Sequence, residues 1–440
     1  ARYAVAVYAL ARLGAVLLPI NVRLAPDEIA FQLEEGDASF LLYDAERALL
    51  AERLGFEPRA LLEEVTGGGP EGEAGAPGGA VTAREFDLDA VQCIMFTSGT
   101  TGRPKGAMLT FGNHWWSAVG SALNLGLQEA DAWLVAVPLF HVSGLSILWR
   151  SVICGISAVI HPKFDPDAVH GAIDRGEATL MSVVATMLQR LLDARGGTPY
   201  PPTLRAVLAG GGPVPGHLLQ RAAQLGLPVL QTYGLTETAS QVATLSLRDA
   251  RRKPGSAGKA LFPVEVAVDA GPGGSGEILV RGPVVMAGYY KQPDATREAF
   301  RGGWLHTGDV GRIDEEGFLY VRGRRSDLII SGGENIYPAE VEAALASHPD
   351  VAEAGVIGLP DPEWGEVPVA LVALRPGRNL DAAELQAFCR SRLAPYKAPK
   401  RILFVESLPR NAAGKLVRAQ LRKLWKQLEG AEPPEEGEGT

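Results

Sequence analysis

Cys93–Thr110 reads CIMFTSGTTGRPKGAMLT, and its interpretation decides the fold. Val91 to Phe96 is apolar and reads as a buried strand. Thr97-Ser98-Gly99-Thr100-Thr101-Gly102 then sets four hydroxyls and two glycines in six residues, ahead of Arg103-Pro104-Lys105-Gly106. Glycines let backbone approach a ligand, and successive amide N–H groups form an anion-binding concavity. The hydroxyls add hydrogen bonds to phosphate oxygens, and Lys105 adds a point charge. A polar surface turn is the plain alternative, but turns rarely gather this set. The spacing of a P-loop, G-x-x-x-x-G-K-[ST], occurs nowhere. A G-x-G-x-x-G match at Gly271–Gly276 lies between two strand-like runs, VEVAVDA and EILVRG, and so reads as a hairpin loop.

The chain has 440 residues, 46% hydrophobic and 21% charged, enough for two or three domains with ample core. A net charge of −9 without a long basic run argues against nucleic acid as partner. Cys93, Cys154 and Cys389 are far apart and never C-x-x-C, which fits a reduced cytoplasmic setting and argues against a zinc site or disulfide framework. No eighteen-residue apolar run occurs, so no membrane span is expected. The opening ARYAVAVYALARLGAVLLPI reads as a helix over 2–14 leading into a strand over 15–20, not as a signal peptide. The absence of an initiator Met suggests that the numbering starts inside the first domain.

Helix-like and strand-like segments alternate to about residue 250, with helices at 26–35 and 111–125 and strands at 39–43, 132–137, 158–160, 180–184, 204–209 and 229–230. This pattern predicts helices layered on mostly parallel sheets, an α/β fold. From 257 to 322 short strands and turns predict an antiparallel, barrel-like subdomain. A smaller α+β unit follows, with helices near 338–347, 381–392 and 415–428. The expected organisation is a large N-terminal domain over 1–324, a small mobile C-terminal domain over 325–428 and a disordered acidic tail over 429–440. Gly67–Ala80 reads as a flexible loop.

The Cys93–Thr110 stretch resembles the signature of the adenylate-forming ligases, which include acyl-CoA synthetases and peptide-synthetase adenylation domains. Further motifs of that family follow in order along nearly the whole chain. The resemblance implies ATP, Mg²⁺ and coenzyme A as reactants, with Thr97, Ser98, Gly99, Thr100, Thr101, Gly102 and Lys105 on the phosphates. Gly210-Gly211-Gly212 resembles a backbone wall for the nucleotide, although three glycines alone can simply mark a loop. Gln231-Thr232-Tyr233-Gly234-Leu235-Thr236-Glu237 ends at the carboxyl edge of a sheet, where ligands of open α/β folds sit. The resemblance puts Tyr233 against adenine, Thr236 on phosphate and Glu237 on Mg²⁺, and one carboxylate suits an ion that keeps phosphate oxygens. It assigns Asp309 to the ribose hydroxyls, a task suited to a carboxylate accepting two bonds, and Arg324 to ribose or phosphate. Ser326 stands where the family carries a hinge residue, more often Asp or Lys. Gly332 and Gly333 resemble the loop lining the pantetheine tunnel.

Lys415 matches the family's catalytic lysine and is one of 10 lysines against 32 arginines. Adenylation needs positive charge where negative charge builds, on the incoming carboxylate and the departing pyrophosphate. Within the family, Phe111–Ser121, Leu139–Arg150 and Ser182-Val183-Val184 are most similar to the subfamily joining o-succinylbenzoate to CoA in menaquinone biosynthesis. In the apolar run His141 to Arg150, one guanidinium needs a partner. Ser143 and Arg150 are two helical turns apart, so a substrate carboxylate would fit between them; an Asp or Glu elsewhere, or solvent, would satisfy Arg150 equally. His141 is expected near the acyl group. A CoA synthetase for other aryl or fatty acids shares every motif except the meaning of Arg150. Homodimerisation is a family-level expectation.

Overall fold

The computed structural model describes residues 1–66, 85–97, 104–270, 274–331, 334–393, 395–411 and 414–429. Gly67–Ala80, Ser98 to Gly102, Gly332, Gly333 and 430–440 lie outside the described residues.

The predicted helix at the start is Arg2–Leu13, closed by Gly14 in the left-handed region at φ 73°. The expected strand after it is reduced to one parallel bridge, Leu17 to Cys93. Val91–Thr97 is a strand as read, but its partner was missed. Lys105–Thr110 is a second strand, antiparallel to the first, with Thr97 opposite Lys105. Lys105 therefore stands at the root of a hairpin rather than inside a loop. Thr110 caps the following helix Phe111–Leu125 by accepting from Asn113 N–H at 3.1 Å. The amide of Asn113 donates to Pro283 O and Val285 O, at 2.8 and 2.9 Å, tying this helix to a distant segment.

Seven strands form the central sheet. Ser157–Ile160, Ala132–Val135, Leu180–Val183, Ala206–Ala209 and Val229–Tyr233 run parallel in that spatial order, as the alternating pattern predicted. Ala243–Thr244 and Lys259–Ala260 add an antiparallel edge. The parallel strands are near-continuous apolar runs because helices cover them. Val229–Tyr233 extends further than expected, so Gln231, Thr232 and Tyr233 belong to the strand.

Most of the 257–322 region enters an antiparallel sheet in which the ten-residue strand Trp304–Ile313 pairs with Gly276–Arg281 on one side, while Lys259–Ala260 and Gly288–Tyr289 join other sheets. Phe300–Arg301 and Leu319–Arg324 pair with it on the other. Glu265–Ala270 and Gly276–Arg281 pair in register around the G-x-G-x-x-G match, as the hairpin reading requires. Beyond 328, strands Val351–Asp361 and Gly365–Leu374 carry the helices Pro338–Ala346, Ala382–Arg390 and Arg418–Glu429. Among the described residues, their apolar clusters draw on residues from 329 onward. Glu429 ends the last helix and pairs with Arg401 at 2.6 Å, which removes it from the expected disordered tail.

Candidate active site

The carboxyl edge of the parallel sheet is where the chain's scattered motifs meet. Val183, Ala209 and Gln231 lie side by side in adjacent strands, so Val184, Gly210 and Gly211 emerge from neighbouring positions on that edge. The loop carrying Lys415 docks there. A β-carbon built on Gly414 would lie 3.4 Å from Thr186 Oγ1 and 3.5 Å from Val184 Cγ2, and one built on Gly211 would lie 3.7 Å from Lys415 Cε. Both glycines have positive φ, 76° and 79°, so the close approach and the turn ask for the same residue. The loop is braced by Arg410, whose Nη1 donates to Gly414 O at 2.7 Å, and by Asn411, which accepts from Lys415 N–H at 2.9 Å.

Lys415 retains solvent contact while its side chain lies along Gly211. Its ammonium is held below the ordinary lysine value, first by burial and then by Arg324, while Asp309 and Glu237 act in the other direction. These charges come from three remote stretches of sequence. Asp309 and Arg324 form an ion pair, and the Lys415 side chain lies along Gly211 on the sheet edge.

Asp309 is 8% exposed and faces Arg324 directly across the antiparallel ladder. Its Oδ1 lies 3.2 Å from Arg324 Nε, and its Oδ2 accepts from Tyr233 O–H at 2.8 Å. Burial raises its pKa and Arg324 opposes that rise. Tyr233 is itself buried, with its ring in the cluster of Val242, Val264 and Ile278. The tyrosine expected beside adenine packs in this cluster and fixes Asp309 through its hydroxyl. Gln231 is likewise turned inward, its amide donating to Ser256 O at 3.1 Å. Thr232 shares a 2.8 Å hydrogen bond with Thr244.

Gly234 serves the turn. A β-carbon there would fall 1.5 Å from Ser240 O, so the strand can pass only as glycine. Thr236 and Glu237 lie in a single 3₁₀ turn, and Glu237 Oε1 accepts from Tyr289 O–H at 3.0 Å. One carboxylate presented this way fits an Mg²⁺ ion that keeps phosphate and water oxygens as its other ligands. Gly212 has open space where a side chain would stand.

On the acyl side, His141 is the N-cap residue of the helix Val142–Cys154. Its Nε2 is buried without a hydrogen-bond partner, and its pKa is lowered to about 4 by burial, then by Lys415 and Arg23. Ser143 is exposed whereas Arg150 is 2% exposed, so the pairing expected from helical spacing does not form a closed pocket. Arg150 reaches Ser240 Oγ at 3.4 Å and lies 5.1 Å from the Trp133 ring centroid. Its Nε is unpartnered, and among the described residues no carboxylate pairs with it. The alternative of an Asp or Glu partner is thereby removed for those residues. Burial depresses its pKa to about 10, still far above neutrality.

Four contributors were missed in the sequence. His114 stacks on Trp149 at 5.5 Å and is held neutral, its pKa lowered to about 3 by burial and by Arg150. Ser240 follows Ala239, and both have positive φ, 99° and 48°; two non-glycine residues there mark a strained turn beside Glu237. Tyr289 and Thr296 complete the list. Only the strained turn had a visible precursor, in the crowded TETAS run.

The AMP-binding enzyme family matches residues 1–290, and the AMP-binding enzyme C-terminal domain matches residues 340–415. The chain is 53% identical over 429 residues to the 2-succinylbenzoate–CoA ligase of Geobacillus kaustophilus (strain HTA426), spanning 96% of this chain and 86% of that protein. The structure of o-succinylbenzoate CoA synthetase from Bacillus subtilis in complex with the acyl-adenylate intermediate OSB-AMP superposes with a TM-score of 0.86 at 45% identity, covering 96% of this chain and 86% of the other. The same enzyme in complex with ATP and magnesium gives 0.86 at 45% identity, covering 96% and 87%. No helix of the described residues is long and apolar enough to cross a membrane. The chain belongs to the AMP-binding enzyme family, within the group of 2-succinylbenzoate–CoA ligases.

Proposed function

We propose that this chain is an ATP-dependent ligase that joins 2-succinylbenzoate to coenzyme A through an acyl-adenylate. The observation that carries the reading is the docking of the Lys415 loop, from the second matched region, on the carboxyl edge of the parallel sheet at Val184, Thr186 and Gly211. The placement of the relatives' acyl-adenylate, ATP and magnesium complexes on the same fold supports it.

In the first half-reaction the substrate carboxylate attacks the α-phosphorus of MgATP and pyrophosphate leaves. Asp309 orients the ribose by accepting from its hydroxyls, held in turn by Tyr233 and Arg324. Glu237 meets the magnesium that enters with the nucleotide. Lys415 stands where charge develops, and a preorganised cation there lowers the barrier more than it would in water. In the second half-reaction the CoA thiol attacks the acyl carbon and AMP leaves. Lys415 then has no task, and the small domain turns about Arg325–Ser326, within the 3₁₀ turn Arg325–Asp327, to bring in Gly332 and Gly333.

Arg150 selects the acid. A buried guanidinium with no carboxylate partner among the described residues suits the second carboxylate of a dicarboxylic substrate. Homodimerisation and a cytoplasmic location belong to the same proposal. The test is CoA- and ATP-dependent turnover of 2-succinylbenzoate beside benzoate and a medium-chain fatty acid. Preference for 2-succinylbenzoate supports the reading, and preference for either competitor overturns it in favour of another acyl-CoA synthetase.

A further inference from the structure

Tyr289 touches two charged groups that the motifs treat separately. Its strand, Gly288–Tyr289, pairs antiparallel with Lys105–Thr110, with Tyr289 opposite Ala107 and Gly288 opposite Met108. Lys105 is two residues from Ala107 and so on the same face, diagonal to Tyr289 and within reach of an aromatic ring. Lys105 Nζ lies 5.2 Å from the ring centroid of Tyr289. At the other end of the same side chain the hydroxyl donates to Glu237 Oε1 at 3.0 Å. The backbone beneath is pinned twice over. Tyr289 N–H donates to Thr296 Oγ1 at 2.9 Å, and Met286 N–H donates to Glu237 O at 2.9 Å. Gly288, at φ 143° with its pro-side-chain direction against Thr296, lets the strand lie this close.

We infer that Tyr289 is a positioning residue that fixes the spacing between the phosphate-side cation Lys105 and the magnesium-side carboxylate Glu237. Left alone, these opposite charges would move toward each other and close the space a polyphosphate needs. The aromatic face offers Lys105 a resting place that is not a carboxylate, and the hydroxyl occupies one oxygen of Glu237 while leaving the other for a ligand. The inference rests on the proposed reading of the cleft as a MgATP site.

The experiment is calorimetric binding of ATP to the full chain, with magnesium and with excess EDTA, for the wild type, Tyr289→Phe and Tyr289→Leu. Tyr289→Phe keeps the ring and removes the hydroxyl. It is expected to weaken MgATP about tenfold, the scale of one hydrogen bond to a charged group, and to leave metal-free ATP unchanged. Tyr289→Leu is expected to weaken both, because the seat of Lys105 goes as well. Equal weakening of both ligands by Tyr289→Phe, or none, would overturn the positioning role. Failure of the wild type to bind ATP at all would instead overturn the reading of the cleft.

Discussion

Arg150 Nη2 lies 3.4 Å from Ser240 Oγ, so a buried guanidinium meets a hydroxyl where a carboxylate would be expected. The hydroxyl cannot neutralise it, and the ring of Trp133 supplies only part of the compensation. A site left in this state in the free protein is poised for an anionic ligand.

Replacing that guanidinium separates binding from folding. Arg150→Met removes an uncompensated buried charge while keeping a flexible apolar stem, so its urea midpoint should match or exceed that of the wild type. Its kcat/KM for 2-succinylbenzoate should fall about a hundredfold, the scale of a charge-assisted contact, with far less effect on benzoate. Equal losses on both acids would remove Arg150 from the substrate pocket.

Burial lowers the proton affinity of four histidines, and His114 and His141 are the two with the large shifts. His114 and His141 have pKa values lowered to about 3 and about 4, against an ordinary 6.5. Between those values the unfolded chain binds more protons than the native one, so stability is full above pH 6.5 and is lost as pH falls toward 4 and then 3. Each group contributes about 1.4 kcal/mol per pH unit inside its window. Denaturant titrations from pH 7 to 4 should show this slope, and His114→Gln should flatten it. A slope unchanged in that variant would exclude His114 as its source.

Two glycines in neighbouring turns should behave oppositely. At Gly234 an alanine would strike Ser240 backbone at 1.5 Å, and backbone cannot yield cheaply. Gly234→Ala should therefore destabilise by about 3 kcal/mol or more, as overpacking does at its upper end. Gly212→Ala meets nothing within 4 Å and should leave stability unchanged. If Gly212 walls the nucleotide, the same variant should nonetheless raise KM for ATP while KM for the acid stays put.

Much of this was legible in the sequence because it is local. Apolar runs bounded by glycine turns mark the parallel strands, and the helix Pro26–Glu35 falls where Pro26 and its acidic first turn predict. Lys105–Thr110 was harder, since KGAMLT carries no alternation and its strand identity comes from pairing with Val91–Thr97. The same holds for the roles of side chains. That Tyr233 holds Asp309, or that Tyr289 links Lys105 to Glu237, depends on registers between strands many residues apart. Spacing within one segment does not encode them. Helical spacing set Ser143 and Arg150 on one face, but burial differs sharply along that face, since Ser143 lies at the exposed first turn and Arg150 in the buried middle of the helix.

The position of Lys415 on the sheet edge leads to the most direct test. In Lys415→Ala, formation of the acyl-adenylate from MgATP and 2-succinylbenzoate is measured separately from transfer of supplied acyl-adenylate to CoA. A loss of about a thousandfold or more is expected in the first half-reaction, the scale of a removed transition-state charge contact, with the second nearly unchanged. Equal loss in both half-reactions, or normal adenylation without the ammonium, would contradict the account.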